Sequence, residues 1–107
     1  MDADGLKGRV VRVVDGDSIY LAGVDKQIRL FGVDAPERDE PLYAEAKEYL
    51  NELVYNQTLQ CTIVEYDKYE RIIGRCFLDG TEINERLIKN GPSTEYCRFS
   101  KNFYGTC

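Results

Sequence analysis

Apolar and polar positions along the chain alternate at first with a period of two, then at helical spacing, then with a period of two again. Lys7 to Val14 is rich in β-branched residues and stops at Asp15-Gly16-Asp17, after which Ser18-Ile19-Tyr20-Leu21 resumes an extended pattern, so a hairpin is predicted. Ala22-Gly23-Val24-Asp25 turns again. In Lys26 to Val33, Ile28 and Leu30 alternate with Gln27 and Arg29, which predicts a third strand with the arginine on the face opposite the apolar pair. Asp34-Ala35-Pro36-Glu37 ends it.

Leu42, Ala46, Tyr49, Leu50 and Leu53 recur at helical spacing against Glu45, Lys47, Glu48 and Glu52, predicting an amphipathic helix over 41–55 with Pro41 as its first residue. Strand patterns return at 59–64 and 72–78, the second capped by Asp79-Gly80. A short helix over 83–90 is closed by Gly91 and Pro92. The remainder, Ser93 to Cys107, has no clean period. Five short strands with a helix between the third and fourth predict an α+β, mainly β, oligonucleotide-binding (OB-fold) barrel, because closure removes exposed strand edges.

With 107 residues, 43% hydrophobic and 31% charged, the chain is expected to be one packed domain over 1–107, with a core at about 7–91 and a tail at 92–107. No apolar run approaches the roughly 18 residues of a membrane helix, and Met1 to Gly5 lacks the pattern of an export signal, so no membrane association is expected and the compartment stays open.

The chain contains no histidine, which excludes Ser-His and Cys-His nucleophiles and imidazole acid-base chemistry. Its net charge of -5 is the wrong sign for a nonspecific polyanion binder, so any contact with nucleic acid must rest on local charge. Cys61, Cys76, Cys97 and Cys107 lack the paired spacing of a zinc site; they allow three full disulfide pairings, or four reduced thiols.

Carboxylates concentrate at two turns, Asp15 with Asp17 and Asp34 with Glu37, and strand pairing would bring three or four of them to one rim. Like charges about 4 Å apart repel by about 4 kcal/mol at an effective dielectric near 20, and oxygen-only donors relieve this with a hard cation, calcium or magnesium. Arg29 leads into the second turn and Arg71 follows Asp67-Lys68-Tyr69-Glu70. Planar guanidinium forks match phosphate oxygens, so the set resembles the parts of a phosphodiesterase.

Three blocks in this order, 14–19 (VDGDSI), 28–37 (IRLFGVDAPE) and 67–71 (DKYER), resemble the signatures of the staphylococcal nuclease (thermonuclease) family, and Ala44-x-Ala46 with Tyr49-Leu50 and the 83–91 segment resemble its helices. The resemblance implies a monomeric, calcium-dependent nuclease on an OB-fold barrel, hydrolysing DNA and RNA with little sequence preference, single strands better than duplex. By motif position it makes Asp17, Asp34 and the Ala35 backbone carbonyl the calcium ligands, and Glu37 the general base or the group that holds the attacking water. Arg29 and Arg71 become the phosphate clamp, and Lys68 and Tyr69 contact the terminal phosphate side of the nucleotide.

Glu70 stands where the family usually has glycine, the loop 38–41 is short and acidic, and the usual further C-terminal helix is missing. A Cys97–Cys107 bridge with Tyr96, Phe99, Phe103 and Tyr104 packed beneath it is expected to replace that helix. Two other functions are compatible with the blocks: a noncatalytic nucleic-acid or protein-binding module, and a phosphate or nucleotide binder that does not hydrolyse.

Overall fold

The computed structural model describes residues 5–107; Met1 to Asp4 lie outside the described residues, and with them most of the segment judged for an export signal. Strands β1 (Gly5–Asp15), β2 (Ser18–Leu21), β3 (Ile28–Leu30), β5 (Thr58–Tyr66) and β6 (Ile72–Leu78) form the barrel, in the order β3-β2-β1-β5-β6, and a parallel β3–β6 pairing closes it. The expected OB-fold barrel is therefore present. β1 is long enough to serve two neighbours: Gly5 to Arg9 pair with β5, and Val10 to Asp15 pair with β2. Register shifts at Val10/Arg12 and Val13/Asp15 curl the strand between them, as bulges do.

Val10, Ile19, Leu21, Ile28, Leu30, Leu59 and Ile72 point into the barrel, where Leu50 and Val54 of α1 (Tyr43–Val54) join them. Ala46, Leu50 and Val54 repeat every four residues on the buried stripe, while Glu45, Lys47, Glu48 and Glu52 face water, as the apolar pattern predicts. No helix among the described residues is long and apolar enough to cross a membrane.

Three local expectations need correction. Pro41 does not begin the helix: Leu42, at φ 72°, interrupts helical geometry and is itself exposed, so α1 starts at Tyr43. The third strand is split, because Gly32 at φ 72° turns the chain after β3 into β4 (Val33–Asp34). A side chain there would also strike the Tyr104 ring at 3.0 Å. The tail is ordered: β8 (Thr94–Glu95) pairs with β4, and α3 (Cys97–Ser100) follows. The intervening short elements are β7 (Thr81–Glu82) and α2 (Ile83–Lys89).

Two disulfides form, Cys61–Cys76 across the β5–β6 pair and Cys97–Cys107 within the tail. The second is the expected replacement bridge, but only part of the expected aromatic patch lies under it. Tyr104 is buried against Phe31 and donates its hydroxyl to Glu82, whereas Phe99 and Phe103 are 61% and 53% exposed. The reason is one turn of helix: Ser100 points inward to Glu95, which turns its neighbour Phe99 outward.

Glu95 anchors the tail. Its buried carboxylate accepts hydrogen bonds from the Ser100 hydroxyl (2.6 Å), the Tyr104 amide (2.9 Å), and the amide and hydroxyl of Thr106 (2.9 and 2.8 Å). Burial alone would raise its pKa, but these donors outweigh it and hold the carboxyl down, from 4.5 to about 2. A carboxylate held below its unfolded value contributes stability that is complete above about pH 4.5 and is lost as pH falls toward 2. The melting temperature should accordingly fall through that window, and a Glu95→Gln variant should start lower at neutral pH and decline less steeply. Parallel curves for the two proteins would remove Glu95 as the cause.

Candidate active site

The candidate residues meet where the barrel closes. In the β3–β6 pairing Arg29 stands opposite Ile73, and Arg71, two residues before Ile73, falls on the same side of the sheet. One cleft of about 730 Å³ results, and Asp17, Arg29, Asp34, Ala35, Glu37, Lys68, Tyr69 and Arg71 all line it. Glycine makes the approach of its acidic wall possible: a Cβ on Gly16 would lie 2.8 Å from the Ala35 Cβ and 2.9 Å from that of Ala46. The Asp15–Asp17 turn therefore seats directly against the Asp34–Glu37 segment and α1.

Arg29 is held from below. Its Nη1 donates to the carbonyls of Val33 (2.8 Å) and Leu30 (3.1 Å) and lies 3.4 Å from Asp17. These contacts all use Nη1, leaving Nε and Nη2 for other partners. The Tyr96 ring lies 6.0 Å from the guanidinium carbon. Arg71 is held from the side: Nε donates to Asp67 Oδ2 (2.7 Å), and its amide to Asp67 Oδ1 (2.9 Å). Burial opposes ionisation of Asp67, yet the Arg71 amide and guanidinium and the Tyr69 amide together hold its carboxyl below the usual range. Each arginine is thus held through part of its guanidinium, and both line the cleft, an arrangement that suits a tetrahedral oxyanion.

Lys68 and Tyr69 are exposed at the tip of the β5–β6 turn, with the Lys68 ammonium 5.3 Å from the Tyr69 ring and the Arg71 guanidinium 5.7 Å from it. Glu70 adopts φ 64°, the left-handed conformation that glycine takes at least cost, and its carboxylate pairs with Lys26 at 3.4 Å.

The acidic side divides unevenly. Asp34 and Glu37 are exposed, while Asp17 is largely buried next to Asp15. Burial pushes the Asp17 carboxyl up to about 6 against the pull of Arg29, and its neighbour Asp15 pushes the same way. Asp15 Oδ1 is buried and finds no donor. Two desolvated carboxylates, one with an orphaned oxygen, carry the excess negative charge that a hard cation neutralises, so these residues fit calcium. Among the described residues no three acidic side chains stand close enough to ligate one ion. The expected convergence of three or four carboxylates therefore holds as a shared cleft and not as a ready cage, and a ligand set here must draw on backbone carbonyl and water oxygens.

Among the cleft residues that sequence reasoning left out of the site are Tyr66, Tyr96 and Phe99. Tyr66 extends the wall formed by Tyr69, and Tyr96 and Phe99 from the tail form another part of the lining, their rings edge to face at 4.7 Å. The signal for Tyr96 and Phe99 was the density of aromatics in an aperiodic segment; Tyr66, at the end of β5, had none.

A closed five-stranded barrel with two anchored arginines and a carboxylate lining one cleft defines an OB-fold protein with an arginine-lined cleft. The family model described as staphylococcal nuclease homologue matches residues 27–105, and the chain belongs to that family. An endonuclease of Escherichia coli, named as uncharacterized, is 33% identical over 98 residues, 89% of this chain and 64% of that protein. A probable staphylococcal-like nuclease of Oryza sativa is 35% identical over 75 residues, 70% of this chain and 23% of that protein. A micrococcal nuclease of Shigella flexneri is 31% identical over 107 residues, 89% of this chain and 61% of that protein. The chain thus spans less than two thirds of the length of these relatives.

Proposed function

We propose that this domain is a calcium-dependent phosphodiesterase that hydrolyses DNA and RNA with little sequence preference. The observation that carries the reading is the common cleft of Arg29, Glu37 and Arg71 beside the Asp15–Asp17 pair. A pure binding surface has no use for a carboxylate in the same cleft as two arginines suited to phosphate.

Asp17, Asp34 and the Ala35 carbonyl would hold the ion, with the Asp15 carboxylate adjoining. Calcium bound there would polarise a phosphoryl oxygen. Arg29 and Arg71 grip the other phosphate oxygens and offset the charge that grows as water adds to phosphorus. Glu37 orients that water and accepts its proton. Lys68 and Tyr69, exposed at the turn tip, meet the terminal phosphate side of the nucleotide. The overall charge of -5 disfavours nonspecific binding along a duplex, so single strands should be cut faster. The closed barrel has no need of a partner to cover an edge, which fits action as a monomer.

One assay tests this. Single-stranded and duplex DNA are incubated at equal ionic strength with calcium, with a chelator, and with the Glu37→Gln variant. Expected are cleavage with calcium, the single strand faster, no cleavage with chelator, and a loss of roughly 10² to 10⁴-fold for the variant. Binding without cleavage in calcium would establish the noncatalytic module instead, and a duplex preference would overturn the strand argument alone.

A further inference from the structure

Glu37 sits on a loop, yet its backbone is bonded from two sides by one residue. Its N–H donates to Glu40 Oε1 at 2.7 Å, and the Glu40 N–H donates back to the Glu37 carbonyl at 2.8 Å. This reciprocal pair closes residues 37–40 into a single turn. The turn is in turn hung from the helix, because the Tyr43 N–H donates to the Glu40 carbonyl at 3.3 Å. α1 itself packs its Ala46 against Gly16, between Asp15 and Asp17. A second hollow of about 250 Å³ borders the same loop, sharing Asp34, Ala35 and Pro36 with the cleft and adding Glu40 and Pro41. The segment that carries Glu37 is therefore braced by Glu40 while its other border is the cleft.

We propose that Glu40 is a positioning residue: its carboxylate oxygen, bonded to the Glu37 amide, sets the Glu37 backbone so that the Glu37 side chain faces Arg29 and Arg71. The proposal rests on the reading of Glu37 as the base. It gives the acidity of the 38–41 loop a local use. Charge alone predicts the opposite sign, since a carboxylate near a phosphate site repels the substrate and its removal would tighten binding. What the geometry asks of Glu40 is an acceptor, not a charge.

The test is steady-state kinetics on single-stranded DNA in calcium, run well below each variant's melting temperature. Glu40→Ala should lower kcat about tenfold with KM within about twofold, the signature of a misaimed group. Glu40→Gln keeps an acceptor oxygen without the charge and should recover to within about threefold. In a Glu37→Gln background Glu40→Ala should cost nothing further, because the group it aims is already gone. The proposal is overturned if Glu40→Ala leaves kcat unchanged, if Glu40→Gln is as impaired as Glu40→Ala, or if the tenfold loss persists in the double variant. Parental turnover in Glu37→Gln alone would instead remove the general base, and the Glu40 role with it, so the two failures are read from different variants.

Discussion

Arg29→Ala and Arg71→Ala should each lower turnover by roughly 10³-fold or more, the scale at which arginines act in phosphoryl transfer. The expectation follows from how each is held. Arg29 is fixed through Nη1 by the carbonyls of Leu30 and Val33, and Arg71 through Nε by Asp67. Neither must pay much side-chain ordering when a phosphate arrives, so most of their interaction is available to the transition state. Lysine at either position keeps the charge but loses the planar fork, and should recover only part of the activity. Arg71→Ala also removes the guanidinium from Asp67 Oδ2, leaving only the Tyr69 and residue-71 amides on that carboxylate, which makes a melting curve a necessary companion to the rate measurement. Near-normal turnover in either folded variant would refute the clamp.

The largest effect on stability is expected away from the cleft, at Asn84→Ala. Asn84 is fully buried on α2; its Oδ1 accepts the Cys76 amide at 3.0 Å, and its Nδ2 donates to the carbonyls of Phe31 (2.9 Å) and Gly74 (3.0 Å). One side chain thus satisfies three backbone groups at the closing strands. Alanine leaves the Cys76 amide and the Phe31 carbonyl without a partner, while the Gly74 carbonyl keeps the Phe31 amide at 2.8 Å; at about 1–3 kcal/mol for each buried group, a loss of at least about 2 kcal/mol is expected. For a domain of this size each kcal/mol shifts the midpoint by about 4–8 °C, and the melting temperature should drop by at least about 8 °C. A drop of only a degree or two would show that water replaces the amide without penalty.

Much of this fold is legible in the chain because its main elements are amphipathic. Period-two alternation around Ile28 and Leu30 and the four-residue repeat of Ala46, Leu50 and Val54 report directly which side is buried. Boundaries fail where a single backbone angle decides them: Gly32 and Leu42 both sit near φ 72°, and hydropathy carries no trace of that for a leucine. The tail fails for another reason. Thr94–Glu95 is too short a strand to have a period, and what holds it is one carboxylate with four donors from three residues, a tertiary fact. The Cys61–Cys76 pair became determinate only once β5 and β6 were set in register.

The candidate residues that meet in the cleft were legible for the opposite reason, being carried by short ordered blocks at turns. Those blocks name Arg29, Glu37 and Arg71 but say nothing of the Phe99 wall or of Asp15 Oδ1, which depend on how the tail folds back and how deeply the first turn is buried.

The parallel pairing of Ile28 with Ile72 joins positions 44 residues apart, and Arg29 and Arg71 flank that join. Long-range pairings of this kind form late, after the entropy of closing the intervening loop has been met. A nascent or partly unravelled chain consequently holds its two cationic side chains on unconnected segments. Bringing the two guanidinium groups together and completing the topology are therefore one and the same step.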